Sequence, residues 1–231
     1  ISTDTSVAGV HFLKSMPAES IAYRSVVTAL SDIAAMGGNP VAFNLSLVMP
    51  SFNSDWMKAF KKGLQKISRE FQLPLIGGDL AKGSLQISVT VLGKPEKKYL
   101  LRSNAQSGDI LCLSGALGSG YIGLKEYKRS GELNSKTRPY LFPNAQIAYG
   151  RIIASIASSA IDISDGIVQD LSHLISSSGV GCKLDLDQVP VVDKQYKKQC
   201  LEFGDDYQLL FTVPPKKLFT LQAKLNSCKK K

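Results

Sequence analysis

Cysteine is scarce and scattered in this sequence. Cys112, Cys182, Cys200 and Cys228 form no Cys-x-x-Cys pair, which excludes a zinc ribbon and a disulfide framework and points to a reducing cytoplasm. No apolar run approaches the roughly 20 residues of a membrane-spanning helix, and no basic segment followed by an apolar stretch marks a secretory signal. Membrane and secreted classes are therefore not expected. Only two histidines occur, and neither sits in a His-Glu-x-x-His helix or beside a cysteine nucleophile. The Walker phosphate loop and the Gly-x-Ser-x-Gly elbow are also missing, so P-loop, serine hydrolase and metalloprotease chemistry lack their signatures. No internal repeat is visible.

What is present is a globular composition: 231 residues, 44% of them hydrophobic, enough for one large domain or two modest ones. The net charge of +9 raises a nucleic-acid partner as a possibility. Its lysines, however, lie in short separate groups (Lys61-Lys62, Lys97-Lys98, Lys197-Lys198, Lys216-Lys217 and Lys229 to Lys231) with no aromatic-interleaved stripe. A solvated lysine-rich surface is the better reading, with a modest positive field that draws anions such as nucleotides.

Residues 1–5 read as a strand entered at full stride, so further residues upstream are expected. Over residues 20–36, Ile21, Ala22, Val26, Ala29, Leu30 and Ile33 recur at helical spacing until Gly37-Gly38-Asn39-Pro40 stops them. Val41, Phe43, Leu45, Leu47 and Met49 then alternate with smaller or polar residues as in a half-buried strand. A second helix over 55–71 carries the apolar stripe Trp56, Phe60, Leu64, Ile67 and Phe71. Strands at 73–76 and 85–92 complete a β-α-β-α-β-β order. The charged, broken segment from Gly93 to Gly108 separates an N-terminal unit, 1–98, from a C-terminal α+β unit, 108–231. In the second unit we expect a strand at 110–113, a glycine-rich run from Gly115 to Gly120, a helix and then another at 145–158. A short strand at 161–163 follows, then a helix capped by Ser164 and running to Gly179, and strands at 182–186 and 207–213.

Aspartates beside glycine, serine or threonine stand where apolar segments end: Asp4, Asp32, Asp79, Asp162 and Asp165. Taken singly, each is as well read as a cap or turn. As a set, carboxylates with small oxygen-bearing neighbours suit Mg²⁺, which takes a few carboxylates, waters and substrate phosphates. Asp32 is the sharpest anomaly, a charge between Leu30 and Ile33 in an alanine-rich helix. His11, in Gly9-Val10-His11-Phe12, reads as a phosphate or substrate contact or as an ordinary packed residue, and His173 as a surface residue near Asp170. The glycines from 115 to 120 allow backbone N–H groups to approach a phosphate, or a neighbouring strand to pack closely.

In order, Ser2-Thr3-Asp4-Thr5, Gly9-Val10-His11-Phe12, Leu30-Ser31-Asp32-Ile33-Ala34-Ala35-Met36-Gly37, Ile76-Gly77-Gly78-Asp79, Ile161-Asp162-Ile163-Ser164-Asp165-Gly166 and Phe203-Gly204-Asp205-Asp206-Tyr207 resemble the thiamine-monophosphate kinase family. The resemblance spans nearly the whole chain. It implies a two-domain, α+β, aminoimidazole ribonucleotide synthetase-like fold whose N-terminal sheet pairs with its twin in a homodimer, with a nucleotide site between the domains. It also implies direct transfer of the ATP γ-phosphoryl group to thiamine monophosphate, with no covalent enzyme intermediate. Several Mg²⁺ ions and an arginine then offset the like charges of two reacting phosphates. By motif position, Ser2, Thr3, Asp4, Asp32, Asp79, Asp162 and Asp165 match magnesium positions; Gly78, Arg102 and Ser164 match ATP contacts; His11 and Asp205 match substrate contacts.

Two departures accompany the resemblance. The family's upstream Gly-Asp-Asp motif and a substrate-stacking aromatic near its C-terminus have no counterparts, so a fragment or a degraded gene product is expected. The family's Gly-Glu-Asp-Tyr-Glu stands as Gly204-Asp205-Asp206-Tyr207-Gln208, which shortens a substrate-contacting acid. A non-catalytic ATP-binding or dimerisation protein of the same fold is the alternative.

Overall fold

Period-two burial builds the first sheet. In the computed structural model, which describes residues 1–96 and 98–228, strand β2 (Gly38–Met49) buries Phe43, Leu45, Leu47 and Met49. Strand β4 (Gln86–Pro95) buries Ile87, Val89 and Val91 on the same side. With β1 (Ser2–Val7) and β3 (Leu75–Lys82) these form a sheet of order β1-β4-β2-β3, antiparallel except for the β2–β3 pair. Helices α1 (Ala18–Ala35) and α2 (Ser54–Phe71) cover the apolar face. The Asn53 side chain accepts the Trp56 N–H at 2.9 Å to start α2, and left-handed Gln72 ends it.

Helix α1 is buried on nearly every side, Glu19 and Asp32 excepted. It lies between the first sheet and the C-terminal half of the chain, and its alanines allow close approach from both. A Cβ on Gly150 would collide with the Ala34 carbonyl, so only glycine lets the crossing helix come this near. The C-terminal half adds β5 (Ile110–Leu113), α3 (Ser119–Ser130), α4 (Arg138–Leu141), α5 (Ile147–Ile153), β6 (Ser159–Asp162), α6 (Ile167–Ser178), α7 (Lys197–Glu202), β7 (Leu209–Val213) and α8 (Leu218–Cys228). Its antiparallel sheet has the order β5-β7-β6. Leu209, Phe211 and Val213 of β7 join the core around α1, while Leu210 joins a second core with Ile161, Ile167, Leu171 and Leu174 against α6. The mixture is the α+β fold expected from the pattern of elements.

Four expectations change. The strand expected at 73–76 instead spans Leu75–Lys82, running through Gly77-Gly78 as an exposed edge strand paired with β2. Residues 182–186 form no strand, because β7 is already flanked by β5 and β6. Tyr207 has φ 51°, incompatible with extended backbone, so the last strand begins at Leu209 rather than 207. Ser164 does not cap α6; that helix starts after Gly166. Lys97 and Lys229 to Lys231 lie outside the described residues.

Candidate active site

Three segments deliver acids to one place. In β1, Ser2, Asp4 and Ser6 face α1, while Thr3 and Thr5 share hydroxyl hydrogen bonds with Thr90 (2.9 Å) and Ser88 (2.8 Å). Ser2 Oγ donates to Asp32 Oδ2 at 2.6 Å, tying the first strand to the end of α1. Asp162 ends β6 beneath them, and Ser164 and Asp165 follow in the turn into α6. Asp4, Ser6, Asp32, Asp162, Ser164 and Asp165 line, with His11, Arg24, Asp205 and Tyr207, a cavity of about 580 Å³. A second cavity, of about 430 Å³, lies on the other side of Asp32, with Arg102 and Ser103 at its polar end and Met36, Leu100, Leu101 and Ala160 among its apolar walls. Asp32 is common to both.

Burial, then the nearby Asp32 charge, pushes the Asp162 carboxyl up to about 7. Arg102 stands 3.8 Å from Asp32, but both are half-exposed and the pair is loose. Asp170 is buried in the first turn of α6, and its carboxylate accepts the N–H groups of Ser164 and Asp165, both at 3.1 Å. Asp170, rather than Ser164, therefore shapes the turn that presents Asp162 and Asp165. His11 Nδ1 accepts the Val7 N–H at 3.0 Å, which leaves Nε2 to carry the proton of the neutral ring. His173 is exposed on α6, as expected.

The opposite end of the larger cavity is closed by the turn at 203–208. Gly204, Asp205 and Tyr207 all have positive φ, at 77°, 60° and 51°. A Cβ on Gly204 would strike the Ser164 carbonyl, so glycine permits the two turns to touch. The N–H of Asp205 donates to Ser164 O and that of Tyr207 to Ile163 O, each at 2.9 Å. Asp205 is shared between Arg24, which forms an ion pair with it, and the Tyr207 hydroxyl at 2.6 Å.

The glycine-rich run is not a phosphate cradle. Gly118 N–H (2.7 Å), Gly120 N–H (3.1 Å) and Ser119 Oγ (2.9 Å) all donate to the buried Asp206 carboxylate, which occupies the start of α3. Close packing is therefore the reading that stands.

Asp4, Asp32, Asp162 and Asp165 thus come together with Thr3, Ser164, His11 and Asp205, while Ser2 and Arg102 line the adjoining cavity. Gly78 and Asp79 do not join them within one chain, because β3 is the edge of the sheet farthest from β1. Asp79 borders an apolar groove of about 570 Å³ with Leu45, Leu47, Phe52, Leu75 and Leu80. Among the described residues no three His, Cys, Asp or Glu side chains stand grouped so that they could hold a metal ion by themselves. Sequence reasoning missed Arg24, Asp170 and Tyr140. One signal was available: Arg24, Thr28 and Asp32 fall at i, i+4 and i+8 of an otherwise apolar helix, a polar stripe that all faces the cavity.

The sequence and the fold have relatives. Residues 1–94 match the AIR synthase related protein N-terminal domain, and residues 106–230 match the AIR synthase related protein C-terminal domain. A thiamine-monophosphate kinase from Buchnera aphidicola subsp. Schizaphis graminum is 38% identical over 234 residues, which is 94% of this chain and 72% of that protein. The crystal structure of thiamine-monophosphate kinase from Stenotrophomonas maltophilia superposes with a TM-score of 0.90 at 31% identity, covering 99% of this chain and 78% of that one. AaThiL complexed with AMPPCP and TMP superposes with a TM-score of 0.87, also at 31% identity, over 93% of this chain and 75% of that one. On these matches the chain belongs to the thiamine-monophosphate kinase family of AIR synthase related proteins.

Proposed function

We propose that this chain transfers the γ-phosphoryl group of ATP to thiamine monophosphate, in line and with Mg²⁺, giving thiamine diphosphate and ADP. The observation that carries the reading is the pair of cavities meeting at Asp32. A two-substrate phosphoryl transfer needs two pockets that open on one polar junction. The larger takes thiamine monophosphate, with His11 and Asp205 in its wall; the smaller takes the nucleotide against its apolar side, with Arg102 at the phosphates and Ser164 near the junction. The related AaThiL bound to AMPPCP and TMP supports both occupants.

The donors fit magnesium. They are oxygens only, and Asp162 is a buried acid that a dication would relieve. The open arrangement also suits an ion that keeps several waters and substrate phosphates among its ligands. Asp4, Asp32, Asp162 and Asp165 would hold it, with the Ser2 hydroxyl, while Thr3, whose hydroxyl turns to Thr90, lines the cavity beside them. When bound, magnesium neutralises and aligns the phosphate oxygens. The protein's own share is to fix these acids, to donate from His11 Nε2 to a substrate phosphate, and to balance charge with Arg102. No acid–base or covalent residue is required.

Asp79 and Gly78 enter this scheme through a second copy. The exposed β3 edge and its apolar groove support a homodimer built on the N-terminal sheets, which carries Asp79 toward a partner's site. The three described cysteines are free, which supports a cytoplasmic setting. No helix among the described residues is long and apolar enough to cross a membrane. The test is a substrate panel: the purified chain with Mg-ATP and either thiamine monophosphate or aminoimidazole precursors, resolved by chromatography. Thiamine diphosphate from the first substrate alone supports the proposal; turnover of an aminoimidazole compound instead overturns it.

A further inference from the structure

We infer that Arg24 is a positioning residue: through Asp205 it clamps the turn at 203–208 against the Ser164–Asp165 turn and so sets the thiamine end of the cavity. The inference rests on the function proposed above, but its structural basis is separate. Arg24 projects from the middle of α1 and its side chain is only 5% exposed. A buried guanidinium is tolerated only when its donors and charge are met. Here one terminal nitrogen donates to the Tyr140 carbonyl at 2.7 Å, the other pairs with Asp205, and the Tyr140 ring lies under the cation at 4.6 Å.

The partner turn has little reason to hold its shape alone. Two of its non-glycine residues, Asp205 and Tyr207, are left-handed, a conformation in which a Cβ crowds the following carbonyl oxygen. External contacts therefore fix it: the two backbone hydrogen bonds to Ile163 and Ser164, the donors of residues 118–120 on Asp206, the Ser114 hydroxyl on Gln208, and the Asp205 carboxylate divided between Arg24 and the Tyr207 hydroxyl. Of these, only Arg24 comes from the N-terminal half. It stands two helical turns before Asp32, so one rigid helix carries both the acid shared by the two cavities and the cation that places Asp205. Releasing Arg24 frees the Asp205 carboxylate and loosens the turn around it, while Asp206 stays anchored and Asp32, Ser2 and the nucleotide cavity stay in place.

The experiment uses the full chain and its Arg24→Met, Arg24→Lys, Asp205→Asn and Arg24→Met/Asp205→Asn variants, with steady-state kinetics and amide hydrogen exchange. Arg24→Met should raise the KM for thiamine monophosphate about tenfold, the worth of one charge-assisted contact, and leave the KM for ATP within about twofold. Arg24→Lys, which keeps the charge but not the fork, should recover part of the loss, and the double variant should be about as impaired as Asp205→Asn alone. Exchange should speed up at residues 203–208 while β2 and α2 keep their protection. Equal rises in both KM values, or effects of Arg24→Met and Asp205→Asn that multiply, would overturn the inference. Should the wild-type chain make no thiamine diphosphate, the proposed function fails by itself. Exchange then decides for Arg24: loss of protection confined to 203–208 upholds the clamp, and unchanged or chain-wide exchange refutes it.

Discussion

Removing the Asp206 carboxylate tests whether the start of α3 is structural or phosphate-binding. Three buried donors, the N–H groups of Gly118 and Gly120 and the Ser119 hydroxyl, share this one acid at 2.7–3.1 Å. A buried donor left without a partner costs about 1–3 kcal/mol, and neighbouring losses add less than fully. Burial pushes the Asp206 carboxyl up despite these donors, so deleting the charge also recovers part of its desolvation. The balance sets Asp206→Ala at about 3 kcal/mol, a large share of the roughly 5–15 kcal/mol that holds a typical domain. Asp206→Asn keeps one acceptor but turns an amide N–H₂ toward a donor, so it should lose about half as much. Urea unfolding of the three proteins gives the free energies, and equilibrium titration gives ATP affinity. A loss below about 1 kcal/mol, or tighter ATP binding in Asp206→Ala, would refute the reasoning by showing the cradle free to take a phosphate.

Gly204→Ala should destabilise by about 2 kcal/mol, from its φ of 77° and the collision with Ser164 O, and should lower kcat by displacing the Ser164–Asp165 turn; kinetics and urea unfolding check both. In metal-free buffer the Asp162 carboxyl, raised from 3.8 to about 7, holds its proton longer folded than unfolded. Its contribution to stability is complete below about pH 4 and is lost as pH rises to about 7, by roughly 4 kcal/mol; Asp162→Asn should abolish that decline in a pH series of melting curves. Leu80 is 57% exposed on the β3 edge, so Leu80→Asp should leave the melting temperature nearly unchanged but shift sedimentation from dimer to monomer.

Much of this architecture is written in local pattern. The alternation from Val41 to Met49 and the stripe from Trp56 to Phe71 report a sheet covered by a helix, because burial on one face leaves a periodic trace in sequence. Asp32 was legible for the same reason in reverse, as a charge where the period demands an apolar residue. Arg24 interrupts the same helix, but its meaning depends on Asp205, 181 residues away, and no window of sequence shows that pairing. Asp206 meets its donors across 86 to 88 residues, which is why the glycine-rich run kept two readings until the contacts were seen. Ser164 has the chemistry of a cap but not the place of one, since Asp170 reaches back from inside the helix to hold its N–H. Tyr207 belongs to an apolar run, and only its left-handed backbone removes it from the strand.

The most direct measurement is product formation from Mg-ATP and thiamine monophosphate by the wild-type chain and by Asp165→Asn, whose carboxamide matches the lost carboxylate in size. The wild type should form thiamine diphosphate and ADP in equal amounts, dependent on Mg²⁺. Asp165→Asn should keep its fold and lose turnover by about 100-fold or more. Product at the wild-type rate from Asp165→Asn would contradict the assignment of the acidic junction.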